Sequence, residues 1–227
     1  MYSFLLTFCL ILKIDITNGF EFRTSSIAAQ NLTNFVERAC PTDWEPFQRP
    51  KGLFCIRVYS APPYVYTQSI AQALCNQEGA YLTGIESIEE HSYIQQKGMQ
   101  ILQANDQDRA RLWLGLVRTS NCRGATETAN NNLNCAISRY TFYWADPMVS
   151  NRIFTEQWAD NQPDYNNNNQ DCAQMYLTQP AGITGFGPIG FYDDATCGTA
   201  TNSYYTSTAL YACGMRAPIV RFVNSPM

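Results

Sequence analysis

Apolar and polar positions alternate along the chain in a pattern that changes twice. Phe4 to Leu12 is a continuous apolar run, followed by polar residues and the small Gly19. Residues 40–59 hold short extended pieces on either side of Pro50-Lys51-Gly52, a turn signal, so a hairpin is predicted there. Cys40 and Cys55 stand where they could staple it. Ala61-Pro62-Pro63 then interrupts regular structure. Over residues 66–78, Ile70, Ala73, Leu74 and Glu78 recur near a period of 3.6 with Cys75 beside them, which predicts a helix. Thr67 or Ser69 caps it, and Gly79 ends it. Residues 80–83 read as extended. Ser87 and Glu90 have the three-residue offset of a capping box, opening a second helix over residues 88–102.

From Arg111 onward the period shortens. Residues 112–117, Leu-Trp-Leu-Gly-Leu-Val, read as a buried strand. Residues 142–144, 171–177, 191–197 and 211–213 are further strand candidates. Long polar loops separate them, among them the asparagine-rich stretch 158–170. Two early helices followed by many short strands give an α+β class. Trp113, Trp144 and Trp158 are read as core, and Asp146 as a turn residue. No repeat and no second domain is visible, and loops of this length are often functional.

Charge narrows the function. Charged residues are 15% of the chain and the net charge is -4, which argues against the dense basic footprint of a nucleic-acid binder. Nothing after residue 19 has the ~20 apolar residues of a membrane span. The segment 1–19 is expected to be a signal peptide cleaved after Gly19, the alternative being a buried terminal strand or helix. The chain would then be secreted and extracellular, and Asn31 in Asn31-Leu32-Thr33 becomes an N-glycosylation acceptor. Of nine cysteines, Cys9 lies in this leader. Eight remain, an even number that reads as a disulfide framework in an exported chain, although eight cysteines allow on the order of a hundred pairings. The polar segment between Cys122 and Cys135 has almost no core of its own and needs a staple. Metal ligation by cysteine is poorly supported, because there is no Cys-x-x-Cys pair and His91 is the only histidine.

Taken in order, these residues resemble the C-type lectin superfamily. The likeness spans about residues 40–213. It rests on Cys75, Gly79, Leu82 and Glu89 around the helices, on Trp113, Gly115 and Leu116 in the core strand, and on Trp158 and Cys172 around the proline loop. Tyr192, Asp193, Asp194 and Cys197 match an aromatic-Asn-Asp followed by cysteine, and Cys213 matches the last strand. Secreted nematode C-type lectin-like proteins look similar. The resemblance implies a C-type-lectin-like fold: two helices, two small antiparallel sheets and long disulfide-braced loops. It implies the pairs Cys40–Cys55, Cys75–Cys213 and Cys172–Cys197, with Cys122–Cys135 added around an inserted loop. The organisation expected is a leader 1–19, a lead-in 20–39, a domain 40–217 and a tail 218–227.

The resemblance also implies a calcium site. Gln162-Pro163-Asp164 stands where the family carries a triplet whose Gln-Pro-Asp form goes with galactose-type sugars, with the proline in cis. Gln162, Asp164, Gln170, Asp193 and Asp194 would be the metal ligands. Calcium takes about six to eight oxygens, and two sugar hydroxyls would complete that shell. Gln170 and Asp193 depart from the family's glutamate and asparagine, which keeps the number of carboxylates and redistributes them. Tyr165 or Tyr192 would stack on the sugar ring.

The leading expectation is calcium-dependent carbohydrate binding, with glycans, possibly of terminal galactose type, as partners. The alternative is a calcium-independent, protein-binding domain of the same fold, with the 122–135 insert as a recognition surface. An enzyme is not expected, since no Gly-x-Ser-x-Gly elbow or phosphate loop is present and one histidine leaves little choice of partner.

Overall fold

The computed structural model describes residues 34–60, 67–123, 135, 139–150, 157–166, 169–178, 187–198 and 209–224. The leader, its cleavage point and Asn31 lie outside these residues. So does most of the 122–135 insert.

The N-terminal hairpin is β2 (Glu45–Arg49) and β3 (Gly52–Tyr59), turning at the predicted Pro50-Lys51-Gly52, where Gly52 takes a positive φ of 117°. Helix α1 (Gln68–Gln77) follows, with the Thr67 side chain accepting from the Ile70 N–H. Its buried face is Ala71 and Cys75, with Leu74 half-buried, whereas Ile70 and Ala73 of the predicted face are exposed. The face that packs inward is the one whose Cys75 is bonded to Cys213. Strand β4 (Tyr81–Leu82) leads to α2 (Ile88–Ala104), where Ser87 caps the Glu90 N–H as predicted. His91, at this helix's first turn, is buried.

Strands β5 (Arg109–Arg118), β6 (Phe142–Trp144), β7 (Cys172–Thr178), β8 (Tyr192–Ala195) and β9 (Ala209–Arg216) then build the sheet. The order is β2-β3-β9-β5-β7-β8, with β4 on β9 and β6 on β5. All these pairings are antiparallel except β5 with β9, which is parallel from Arg111↔Ala209 to Trp113↔Tyr211. β9 therefore knits the two halves of the chain together.

The last strand candidate is not the last strand. β10 (Ile219–Asn224) pairs with β1 (Asn34–Arg38) as a separate two-stranded ribbon. Both strands lie outside the expected domain 40–217, one in the lead-in and one in the tail, and neither alternates strongly enough to be read alone. Two-strand pairing of the chain ends is a long-range contact that no local pattern reports.

One core cluster lies under α2 and includes Ile94, Leu102, Leu112, Leu114, Met175 and Leu177. The other, on the α1 side, includes Cys75, Leu82, Trp113, Tyr211 and Cys213. Four disulfides brace the fold: Cys40–Cys55, Cys75–Cys213, Cys122–Cys135 and Cys172–Cys197. Cys75–Cys213 ties α1 to β9, and Cys172–Cys197 ties β7 to the segment after β8. No helix among the described residues is long and apolar enough to cross a membrane.

Candidate functional site

The sheet delivers the predicted residues to one edge. β7 and β8 pair with Ala173 opposite Asp194 and Gln174 opposite Asp193. The proline loop, residues 157–166, is pinned beside β8 by a bridge between Trp158 and Tyr192, and by Ala159 N–H donating to Tyr192 O at 2.9 Å. The Gln162–Pro163 bond is cis, and Asn161 and Tyr165 on either side of the triplet have positive φ of 63° and 52°. For a residue as bulky as tyrosine that backbone needs support. Asp194 supplies it.

Asp194 is fully buried and is the hub of the loop. Its Oδ1 accepts from the Asp164 N–H at 2.9 Å, and its Oδ2 from the Tyr165 N–H at 3.0 Å. Arg118 Nη2 also donates to Oδ2, at 3.0 Å. Gln170 Nε2 donates to the Asp194 backbone carbonyl at 2.8 Å. Burial pushes the Asp194 carboxyl up to about 7, against the lowering pull of those amides and of Arg118.

The other predicted ligands are likewise spent inside the loop. Gln162 Oε1 accepts from the Asp164 N–H at 2.9 Å. Gln170 Oε1 accepts from the Asn166 N–H, as does Asp164 Oδ1 at 3.1 Å. Asp193 is buried and pairs with Arg111, Nη1 to Oδ2 at 3.3 Å. Its carboxyl is raised by burial, opposed by Arg111 and by a hydrogen bond from Tyr176. Successive strand residues face opposite sides of a sheet, and Asp193 and Asp194 accordingly meet different arginines. Asp164 keeps an exposed carboxylate.

The expected stacking rings are also committed. Tyr165 is 3% exposed and lies 4.3 Å from the Arg118 guanidinium, and Tyr192 is wholly buried, edge-on to Trp144, Trp158 and His91. Neither presents a face to a sugar.

The residues present do not fit a calcium ion well. Among the described residues, no three His, Cys, Asp or Glu side chains converge in a way that could hold a metal. Two of the three acids that would carry the charge are already paired with arginines. Sequence reasoning missed both arginines. The only sign was that a basic residue stands near each end of the one long buried strand; nothing local links Arg118 to Asp194, 76 residues away.

Residues 43–215 match the family model described as C-type lectin domain-containing protein 141/158. The C-type lectin domain-containing protein 158 of Caenorhabditis elegans is 23% identical over 150 residues, covering 62% of this chain and 71% of that protein. The mouse (Mus musculus) CD209 antigen-like protein A is 25% identical over 138 residues, covering 61% of this chain but 44% of its own length. The chain thus spans less than half of that relative. Among solved structures, similar ones include the cow C-type carbohydrate-recognition domain of CD23, solved in the presence of a GlcNAc2Man3 oligosaccharide, with a TM-score of 0.46, 18% identity, and 80% and 98% of the two chains covered. A calcium-independent type II antifreeze protein is also similar, with a TM-score of 0.47, 17% identity, and 80% and 98% covered.

Proposed function

Since the chain belongs to the C-type lectin domain-containing protein 141/158 family, we propose that it is a non-catalytic, extracellular recognition domain that binds a protein ligand without calcium. The observation that carries this is the commitment of Asp194. Both of its carboxylate oxygens and its carbonyl accept from groups of the protein itself. A calcium ion would have to displace those donors and share the site with a guanidinium, and a divalent cation gains least where the charge is already met. The ligand surface in this reading is the outer side of the proline loop. There the Asp164 carboxylate and the side chains of Asn161 and Asn166 are exposed. Amides donate and accept, so this surface offers both, beside the exposed carboxylates of Asp160 and Asp164. Export through the 1–19 leader, glycosylation of Asn31 and the 122–135 insert as a second recognition surface belong to the same reading.

A second reading keeps calcium-dependent carbohydrate binding at Gln162, Asp164, Gln170, Asp193 and Asp194. It is favoured by the Gln162-Pro163-Asp164 triplet and by the exposed Asp164 carboxylate, which has no arginine against it among the described residues. Calorimetric titration of chelator-stripped, fully oxidised protein separates the two. The first reading expects no saturable heat at millimolar calcium and the same glycan-array signal in calcium as in chelator. Saturable binding that is lost in Asp194→Ala, with galactose-type glycans retained only in calcium, would establish the second.

A further inference from the structure

Oxygens from five residues converge on the side chain of Arg118, which is wholly out of solvent. They are the carbonyl of Cys135 at 2.6 Å, Asp194 Oδ2 at 3.0 Å, Thr141 Oγ1 at 3.1 Å, the carbonyl of Gln170 at 3.1 Å and Asp171 Oδ1 at 3.6 Å. The rings of Phe142 and Tyr165 lie 4.5 and 4.3 Å from it. The oxygens come from four stretches of chain: Cys135 at the end of the disulfide-closed insert, Thr141 just before β6, Gln170 and Asp171 ahead of β7, and Asp194 in β8. Two are carboxylates and two are backbone carbonyls, the donor set a hard cation would choose.

We infer that Arg118 is the protein's resident cation, a positioning residue that assembles the loop region as a bound metal ion would. A guanidinium offers five N–H donors in a fixed plane and stays charged when buried. It can therefore do both jobs of a caged ion: neutralise carboxylates and gather oxygens from segments far apart in sequence. Through Asp194 it holds the amides of Asp164 and Tyr165, and so fixes the backbone of the triplet. The ligand surface is then permanently assembled, at any calcium concentration. This deepens the calcium-independent reading and rests on it.

Hydrogen exchange on the full, oxidised chain tests it. In the wild type, the Asp164 and Tyr165 amides are expected to be equally protected in chelator and in millimolar calcium. In Arg118→Ala their exchange should rise by at least about tenfold, the loss of roughly one net hydrogen bond to a charged group. Arg118→Lys, which restores charge without the fork, should fall between the two. Added methylguanidinium should restore protection in Arg118→Ala, and sodium chloride of equal ionic strength should not. If wild-type protection exists only in calcium, or survives unchanged in Arg118→Ala, the assignment is overturned. If Arg118→Ala does not fold, Arg118→Lys decides: amide protection equal to the wild type's overturns the assignment, and reduced protection supports it. Calcium-independent loop order combined with glycan binding in chelator would sink the protein-ligand reading and leave the role of Arg118 standing.

Discussion

Arg49 and Glu90 meet through two hydrogen bonds of 2.8 Å, Nε to Oε1 and Nη2 to Oε2, with both side chains out of solvent. Arg49 Nη1 reaches Asp146 Oδ2 at 2.9 Å, and Nη2 also reaches the carbonyl of Gly84 at 2.9 Å. The Phe54 ring lies 3.5 Å from the guanidinium. This one arginine joins the end of β2, the first turn of α2 and the turn after β6. Arg49→Met would leave two buried carboxylates without a counter-charge. Breaking a buried pair from one side costs about 3–5 kcal/mol, to be read from urea unfolding under oxidising conditions. The exposed Arg57–Asp43 pair, 3.8 Å apart, should cost no more than about 1 kcal/mol when broken.

Gly115 is needed for a different reason. Strand β5 passes so close to β4 that a Cβ at this position would collide with the backbone carbonyl of Leu82. The approach is held by Gly115 N–H donating to Thr83 O at 2.9 Å, while the Gly115 carbonyl accepts from Ala145 N–H, just after β6, at 2.7 Å. A backbone atom cannot swing aside as a side chain can. Gly115→Ala should therefore destabilise by about 1–3 kcal/mol, as overpacking does, with a lowered urea midpoint and an unchanged slope.

The disulfides differ in the chain they close. Cys75–Cys213 spans a separation of 138 residues and Cys122–Cys135 one of 13. In the chain-entropy account, removing the longer closure costs about 2 kcal/mol more than removing the shorter, because the cost grows with the logarithm of loop length. Paired Cys→Ala variants, unfolded in urea, give both values. Equal losses would mean that packing around the bridges, not loop closure, sets their worth.

Local patterns carried most of the elements into view. The Ser87 cap, the Pro50-Lys51-Gly52 turn and the apolar run 112–117 each report on their own neighbourhood, and the structure places a helix start, a hairpin and a buried strand there. Three of the four cysteine pairs are those implied by the family resemblance, and the fourth, Cys122–Cys135, joins the two cysteines additional to the family's set. What stayed hidden is long-range. The β1–β10 ribbon, the parallel β5–β9 pairing and the burial of His91 against Gly190 all depend on residues far apart in sequence. The candidate site shows the same division. Asp164, Asp193 and Asp194 were legible as carboxylates, and the two arginines that meet the latter two were not. A ligand set read from acids alone omits the cations that consume it.

Two buried groups give stability opposite dependences on pH. Asp194 has its pKa raised to about 7 by burial, from an ordinary value of 3.8. The folded state then holds its proton more tightly than the unfolded chain does. Its contribution is fully present below the unfolded value and is lost as pH rises through about 7. His91 runs the other way. Burial lowers its pKa, while its Nε2 lies 2.8 Å from the Gly190 carbonyl. Its contribution is present above the ordinary histidine value of 6.5 and is lost as pH falls through the lowered one. Comparison with variants separates the two. The stability of the wild type relative to Asp194→Asn should rise by about 2–3 kcal/mol between pH 8 and pH 5, roughly the two units between pH 7 and pH 5 at about 1.36 kcal/mol each. Relative to His91→Gln it should fall over the same range. Urea unfolding at four pH values between 5 and 8 measures both differences. A flat Asp194→Asn difference would mean that Arg118 and the loop amides keep this carboxylate ionised throughout, with the ion pair outweighing the burial that surrounds it.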